Sequence, residues 1–264
     1  MKADAAWYNL VEINIKFQIF GKEGINMNEL FIQGVYFNWK DIDKESYIRN
    51  IAALRRVKKI AFNKPITFFV GENGSGKSTL LEAIAIAHGF NPEGGTRNYS
   101  FSTHDSHSEL CDAITVAKGY RKEKWGYFYR AESFYNVATQ EEMYADNEHP
   151  SALYHEKSHG ESFLQLAGDN LSADGLYLLD EPEAALSPQR QLTLLSEIYE
   201  CARAGAQFII VTHSPILLGI PDADIYCFDK GRIHLCTYEE TDSYQVMKMF
   251  INNRQILLHK LLGE

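Results

Sequence analysis

Cysteine is scarce in this chain of 264 residues, and its four cysteines form no C-x-x-C pair. Cys111, Cys201, Cys227 and Cys236 stand mostly among apolar residues, so we predict reduced, packed thiols and no disulfide framework. No apolar run approaches the ~20 residues that a membrane helix needs. The first residues also lack a basic region followed by an apolar stretch. We therefore expect no membrane insertion, no secretion signal and a cytoplasmic location.

Positive charge is in deficit, with 26 Lys and Arg against 35 Asp and Glu and a formal charge of −9. Such an acidic chain is a poor default binder of the nucleic-acid backbone. The basic stretch from Arg49 to Lys59 is the one candidate footprint, although such runs are more often solvated loops. With 45% hydrophobic and 23% charged residues, the composition excludes a wholly disordered chain, a collagen and a coiled-coil rod.

Residues 1–26 match the rest of the chain poorly, and we interpret them as an N-terminal extension ahead of one domain over residues 27–264. Continuous apolar runs predict strands that are buried on both faces. The predicted strands are 30–37, 66–70, 175–180, 207–212, 224–228 and 233–237, with a hairpin over 114–132 and helices over 77–88, 188–204 and about 243–262. Strands alternating with helices predict an α/β fold with a mostly parallel sheet.

A glycine-rich segment between a predicted strand and a predicted helix fits G-x-x-x-x-G-K-[ST], a phosphate-binding loop. Glycines allow successive N–H groups to turn toward a phosphate, and the helix N-terminus adds partial positive charge. Lys77 is expected to reach the β- and γ-phosphates, and the Ser78 hydroxyl to ligate Mg²⁺. The predicted nucleotide-binding residues here are Gly71, Glu72, Asn73, Gly74, Ser75, Gly76, Lys77, Ser78 and Thr79. Nothing in this loop reads the base, so a preference for ATP must come from elsewhere.

Two carboxylates follow the strand over 175–180, at the edge where α/β sheets bind ligands. Asp180 is expected to hold Mg²⁺ opposite Ser78, through water. Glu181 would orient and deprotonate the attacking water, a role worth ~10²–10⁴ in rate. His213 follows the strand over 207–212, at the same edge, and is expected to contact the γ-phosphate or that water.

These motifs together resemble the ABC-type ATPases, and in particular their soluble, SMC-like, transporter-independent branch. The segment Asp180–Pro188 is similar to the Walker B and D-loop of that branch, His213 to its switch histidine, and Ser158-His159-Gly160-Glu161 to its signature loop. The resemblance implies a P-loop NTPase fold with an antiparallel β subdomain and a small signature-bearing lobe within about 91–170. It also implies ATP and Mg²⁺ as cofactors and Lys77, Glu181 and His213 as catalytic residues.

The resemblance further implies a head-to-tail homodimer with two sandwiched nucleotides, because one copy's signature loop closes over the phosphate held by the other. Ser158, Gly160 and Glu161 would then bind the nucleotide in the second copy's cradle. Two departures stand out: His159 and Glu161 replace the usual Gly and Gln, and Ser187 ends the D-loop where Asp is usual. We find no certain Q-loop glutamine, and Glu132 or Asn136 is the candidate substitute.

Several alternatives stay open at this point. The chain is also compatible with the nucleotide-binding subunit of a transporter, or with an ATP-dependent clamp or sensor on DNA. His155-Glu156-Lys157-Ser158-His159 spells the H-E-x-x-H motif of zinc proteases, but Gly160 follows at once and no third ligand is evident. The cluster of His104, Asp105 and His107 reads best as a solvated loop. Adenine could stack on Tyr36, Phe37 or Trp39, and the effector, protein or nucleic acid, is unknown.

Overall fold

A computed structural model describes residues 30–96, 108–131, 165, 168 and 170–263. The strands are β1 (Ile32–Phe37), β2 (Lys59–Ala61), β3 (Ile66–Val70), β4 (Gly95–Thr96), β5 (Ile114–Lys118), β6 (Trp125–Arg130), β7 (Gly175–Asp180), β8 (Gln207–Val211), β9 (Asp224–Asp229) and β10 (Arg232–Cys236). The helices are α1 (Lys77–His88), α2 (Pro188–Arg203) and α3 (Asp242–Leu262), with short 3₁₀ turns at Tyr47–Asn50, Glu109–Ala113, Leu217–Gly219 and Tyr238–Glu240.

The larger sheet has seven strands in the order β10-β9-β3-β8-β7-β6-β4. Strands β9, β3, β8, β7 and β6 run parallel, while β10 and β4 close the two edges antiparallel. The predicted α/β fold with a mostly parallel sheet is therefore confirmed. All parallel strands end at one edge, so the residues that follow β3, β7 and β8 are brought together.

The central strands are buried on both faces, as their continuous apolar runs predict. Successive side chains alternate between the two layers: Phe69 packs in the cluster that contains α1 residues, and Phe68 in the cluster that contains α2 residues. Both phenylalanines are fully buried. Each such side chain stabilises the fold by roughly 1.5–3 kcal/mol relative to an exposed one.

A separate three-stranded antiparallel sheet, β2-β1-β5, packs on the α1 side and forms the predicted antiparallel subdomain. The predicted hairpin over 114–132 is wrong, because β5 pairs antiparallel with β1 while β6 pairs parallel with β7. The difference in burial between β5 and β6 explains why the two strands lie in different sheets. Strand β6 is buried at four successive positions and fits the inside of the large sheet, whereas β5 is largely half-buried or exposed.

The prediction that all four cysteines are reduced is also wrong. Cys227 and Cys236 form a disulfide, while Cys111 and Cys201 are free. In the β9–β10 hairpin Cys227 lies opposite His234 and Cys236 opposite Ile225, so the two cysteines are diagonal neighbours. Their Cα atoms are 6.3 Å apart, within the range that a disulfide spans. Sequence spacing alone does not reveal this hairpin register.

The helix ends follow local sequence signals. Gly76 and Gly89 cap α1 with left-handed backbone, and Ser187 accepts a hydrogen bond from the Arg190 N–H ahead of Pro188 in the first turn of α2. Helix α3 buries none of its residues. Within the described part of the chain, no helix combines the length and apolar character that crossing a membrane would require. The predicted extension over 1–26 lies outside the described residues.

Candidate functional site

The phosphate-binding loop, residues 71–78, connects the buried strand β3 to α1, as its sequence context predicts. Its glycines have positive φ: +142° at Gly71, +77° at Gly74 and +96° at Gly76. A Cβ at Gly71 would lie 2.5 Å from the Phe228 carbonyl oxygen, and one at Gly76 would lie 2.6 Å from Ile51 Cγ2. Glycine is therefore required at both positions for backbone conformation and for space.

The outer part of this loop is open to solvent, with Glu72, Asn73 and Gly74 exposed. Ser75 is half-buried and donates its N–H to the Glu72 carbonyl oxygen at 3.3 Å. Thr79, the last residue of the predicted set, is half-buried in the first turn of α1. The loop thus lies at the sheet edge, where an anion would meet backbone N–H groups and the N-terminus of α1.

Lys77 is 5% exposed and donates from Nζ to the carbonyl oxygens of Gly71, at 2.7 Å, and Glu72, at 2.8 Å. Burial lowers the pKa of Lys77, and the nearby carboxylates of Glu181 and Asp180 oppose that shift. The ammonium group is therefore held inside the loop by two neutral acceptors. Triphosphate oxygens are stronger acceptors for an ammonium group than neutral carbonyls are.

Ser78 and Asp180 meet at the entrance of the loop. The Ser78 hydroxyl donates to Asp180 Oδ1 at 2.9 Å, and Asp180 ends β7 with 9% of its surface exposed. A hydroxyl and a carboxylate side by side supply the hard oxygen ligands that Mg²⁺ prefers. The residues present therefore fit the magnesium site that the sequence predicts, with Ser78 and Asp180 as its protein ligands or as holders of its water ligands.

Glu181 and His213 lie together at the same edge, with Glu181 Oε1 3.8 Å from His213 Nε2. Their side chains are 43% and 40% exposed, respectively. Glu181 has a left-handed backbone with φ +50°, and its N–H donates to the Val211 carbonyl oxygen at 2.9 Å. This conformation costs about 1–2 kcal/mol for a residue with a side chain. The hydrogen bond to Val211 opposes that cost and fixes the backbone of Glu181 at the end of β7.

Sequence reasoning missed Glu183, which the structure places between the two strand ends. Glu183 Oε1 accepts hydrogen bonds from the N–H groups of His213, at 2.6 Å, and Ser214, at 3.1 Å. Burial raises the pKa of Glu183, and the bond from the His213 N–H partly opposes this rise. The available signal was a third acid in Asp180-Glu181-Pro182-Glu183, in the turn between the buried strand β7 and α2.

The aromatic candidates for adenine stacking differ in exposure. Tyr36 is 47% exposed, and the Lys59 ammonium lies 5.1 Å from its ring centroid. Phe37 and Trp39 stack on each other at 6.0 Å, and the Trp39 indole N–H donates to the Val57 carbonyl oxygen at 2.6 Å. Phe37 and Trp39 thus already pack with protein groups, and Tyr36 is the more accessible ring.

The basic stretch from Arg49 to Lys59 divides into two parts. Arg49 is half-buried, and its guanidinium group donates to three carbonyl oxygens, those of Trp39, Ile42 and Asp43. Four further cations are exposed: Arg55, Arg56, Lys58 and Lys59. Arg49 therefore holds the local fold, and only the other four offer charge to a partner.

Several predicted residues lie outside the described residues. They are the signature residues Ser158, His159, Gly160 and Glu161, the Q-loop candidates Glu132 and Asn136, the H-E-x-x-H residues His155 and Glu156, and the His104, Asp105 and His107 cluster. Across residues 30–96, 108–131 and 170–263, no group of three His, Cys, Asp or Glu side chains is arranged to hold a metal ion.

Two family models match the chain. Residues 47–149 match a model described as "AAA domain", and residues 130–219 match one described as "AAA domain, putative AbiEii toxin, Type IV TA system". The first takes in the phosphate-binding loop, and the second takes in Asp180, Glu181 and His213. A search of curated proteins finds no match.

Solved structures with a similar fold include transporter cassettes and an SMC head. A nucleotide-free ATP-binding cassette from an ABC transporter is 15% identical, with 86% of this chain and 98% of that chain covered and a TM-score of 0.48. An ATP-binding cassette of an ABC transporter in its ADP conformation is 16% identical, with coverage of 89% and 100% and a TM-score of 0.45. The SMC head domain from Thermotoga maritima is 14% identical, with coverage of 79% and 99% and a TM-score of 0.42.

Because these TM-scores are below 0.5, the likeness to solved structures carries no argument about function. The evidence for function is the family matches and the geometry of the site. The phosphate-binding loop lies after a buried strand, its Ser78 contacts Asp180, and His213 lies near Glu181 at the edge of a mostly parallel sheet. The AAA-domain matches cover both halves of the site, and together these features support a P-loop fold with a nucleotide site at this edge.

Proposed function

We propose that this chain binds ATP with Mg²⁺, hydrolyses it to ADP and phosphate, and works as a conformational switch in a nucleotide-sandwiched, head-to-tail homodimer. The observation that carries the proposal is the 2.9 Å hydrogen bond between Ser78 and Asp180 at the entrance of the glycine loop. It joins the loop that receives phosphate to the strand end that carries the proposed base, Glu181.

The roles of the residues follow from their chemistry. Lys77 exchanges its two carbonyl acceptors for oxygens of the β- and γ-phosphates, which neutralises charge that develops on them. Glu181 accepts a proton from water while the water oxygen bonds to the γ-phosphorus and the bond to the β–γ bridging oxygen breaks. The products are ADP and phosphate. His213, 3.8 Å from Glu181, would donate a hydrogen bond to the transferred phosphoryl group.

Magnesium bound by Ser78 and Asp180 would neutralise phosphate charge and fix the orientation of the triphosphate.

The second copy would complete the site with Ser158, Gly160 and Glu161. Support for this part comes from the resemblance to the ABC-type ATPases and from the open outer face of the loop, where Glu72, Asn73 and Gly74 are exposed. A loop that is open on that side leaves the γ-phosphate accessible to a second body. A symmetric pair of copies closes both sites at once.

A mixing experiment tests hydrolysis and dimer together. Lys77→Ala removes the cradle lysine, Ser158→Ala removes a signature hydroxyl, and each variant alone is expected to lose turnover. In an equal mixture about half of the dimers contain one intact site, so about a quarter of the wild-type rate should return. The measurement is steady-state phosphate release against mixing ratio.

The control is Glu181→Gln, which should retain ATP and accumulate as a dimer in sedimentation. A mixture as inactive as its parents would contradict the shared site. Full activity of Ser158→Ala alone would contradict it as well, while leaving hydrolysis itself in place. Wild-type turnover by both Lys77→Ala and Glu181→Gln would contradict the proposed ATPase.

One observation favours a second candidate, an ATP-dependent clamp on nucleic acid. Arg55, Arg56, Lys58 and Lys59 are exposed, and the neighbouring Ile51 lies against Gly76 of the phosphate-binding loop. Neutralising Lys58 and Lys59 should weaken ATP-dependent binding of a labelled duplex and flatten its salt dependence. Neutralising Lys248 and Lys260 of α3 is the matched control, and equal effects of both pairs would reject this footprint.

A further inference from the structure

Two turns meet behind the proposed base: the turn over 181–187, between β7 and α2, and the turn over 213–217, after β8. Glu183 of the first turn accepts two N–H groups from the second, those of His213 and Ser214. A carboxylate that accepts two backbone N–H groups makes stronger bonds than a neutral acceptor does. The backbone of His213 is therefore fixed to a side chain of the other turn.

A second connection joins the same turns. The Ser214 hydroxyl donates to Gln191 Oε1 at 2.6 Å, and Gln191 Nε2 donates to the Leu186 carbonyl oxygen at 3.0 Å. Ser214 is 4% exposed, and its hydroxyl oxygen also accepts the N–H groups of Ile216 and Leu217. Through these two connections a displacement of either turn is transmitted to the other.

A carboxylate is a costly choice for this place. Glu183 is half-buried and only two residues from Glu181, and its second oxygen, Oε2, is closed to solvent and has no hydrogen-bond partner among the described residues. Local rules of stability are most often broken at functional sites. What the carboxylate secures here is the position of His213 relative to Glu181.

We propose that Glu183 is a positioning residue that acts through His213, so that His213 and the turn after Glu181 move as one unit. This inference rests on the proposed ATP hydrolysis and deepens it, because it names how the turn that carries Glu181 controls the histidine. A shift of the 181–187 turn on dimer closure carries His213 with it through the two N–H bonds.

A double-mutant cycle on kcat tests the inference. Glu183→Ala should lower kcat about tenfold, with the Kd for ATP within about twofold, because Lys77 and the glycine loop are untouched. Combined with His213→Ala, the Glu183→Ala change should cost no further rate, since the group through which it acts is gone. Glu183→Gln keeps an acceptor oxygen and should recover most of kcat. Single-turnover measurements give the hydrolysis rate constant of variants that are too slow for steady-state assays.

The matched control is Glu197→Ala. Glu197 is a partly buried carboxylate on α2, and burial raises its pKa as well. Its replacement should leave kcat and the result of the double-mutant cycle unchanged. A full tenfold loss from Glu183→Ala on the His213→Ala background would overturn the positioning role. So would parallel losses of kcat and ATP affinity that follow thermal stability. A failure of the proposed ATPase is distinguishable, because wild-type chain would then release no phosphate and Lys77→Ala would change nothing.

Discussion

The Ser78 hydroxyl and the Asp180 carboxylate, 102 positions apart in sequence, share a hydrogen bond of 2.9 Å. Ser78 lies in the first turn of α1, and Asp180 is the last residue of β7. Strand β8 separates β3 from β7 in the sheet, so the contact depends on parallel strands that end at one edge. The fold thereby brings together a hydroxyl and a carboxylate that neither segment holds alone.

Replacement of Asp180 by Asn should raise the Mg²⁺ concentration needed for half-maximal ATPase activity. The amide keeps the shape and an acceptor oxygen for Ser78 but removes the negative charge that attracts the cation. A group that holds a metal through water typically contributes 10–100-fold in metal affinity or activity, so a shift of about that size is expected. A Mg²⁺ titration at saturating ATP measures it.

Asp224→Asn is the matched control for that titration. Asp224 begins β9 at the opposite edge of the sheet and pairs with Lys64 at 3.4 Å. Its replacement should leave the Mg²⁺ requirement unchanged. An unchanged requirement in Asp180→Asn as well would contradict the assignment of Asp180 to the metal.

Gly76 and Gly74 separate the two reasons for glycine in the phosphate-binding loop. Both have positive φ, but a Cβ at Gly76 would meet Ile51 Cγ2 at 2.6 Å, whereas one at Gly74 would have no heavy atom within 4 Å. Gly74→Ala should therefore cost only backbone strain, about 1–2 kcal/mol. Gly76→Ala should lower the free energy of unfolding further and weaken ATP binding more. Denaturation curves and ATP titrations compare the two, and equal losses would contradict the steric role of Ile51.

The sequence was most informative where one segment carries the whole signal. The buried runs of β3, β7 and β8 predict both their strands and the edge where Asp180 and His213 lie, because parallel strands buried on both faces have few alternatives. Contacts between residues that are distant in sequence could not be predicted in the same way. The partner of β5, the Cys227–Cys236 disulfide and the contact from Glu183 to His213 each depend on register or on turn geometry that only the folded chain defines.

The two hydrogen bonds between Gln207 and Ile32 lead us to expect that replacing Gln207 destabilises the fold. No sequence motif indicates this contact. Gln207 is 1% exposed; its carbonyl oxygen accepts the Ile32 N–H at 2.9 Å, and its amide donates to the Ile32 carbonyl oxygen at 2.8 Å. This side chain joins the large sheet to the small one. Gln207→Leu fills the same space but leaves both backbone groups of Ile32 unpaired, which should cost about 2–4 kcal/mol. Urea denaturation measures the cost.

Gln245→Leu provides the comparison for Gln207. Gln245 lies on the exposed helix α3 and donates to the Glu239 carbonyl oxygen, where water replaces a lost partner. Its replacement should change the free energy of unfolding by no more than about 0.5 kcal/mol. Similar losses from the two leucine variants would show that the Gln207 bridge contributes nothing beyond a surface hydrogen bond.

Asp174 predicts a pH dependence of stability. Its carboxylate pairs with Lys124, at 2.9 Å, and with Arg121, whose guanidinium group also lies over the Phe31 ring. The hydrogen bond and the charge of Lys124, with a smaller contribution from Arg121, hold the pKa of Asp174 below its usual range. The folded chain therefore binds fewer protons than the unfolded chain as this carboxyl titrates. Its stabilising contribution is present above the unfolded-state pKa and is lost as the pH falls through the folded-state pKa.

Asp174→Asn isolates this charge, because Asn tolerates the left-handed backbone at φ +61° as Asp does. Wild type should be more stable than the variant at neutral pH, and the difference should shrink toward zero as the pH falls below the usual carboxyl range. Added salt should reduce it as well, since the pair is accessible to solvent. The measurement is the midpoint of urea denaturation at a series of pH values.

Asp222→Asn is the matched control. Asp222 also has a left-handed backbone, with φ +58°, but has no ion pair within the described residues, so the variant should show no such trend. A difference at Asp174 that stays constant from acid to neutral pH would mean that the substitution acts through the backbone and not through the charge.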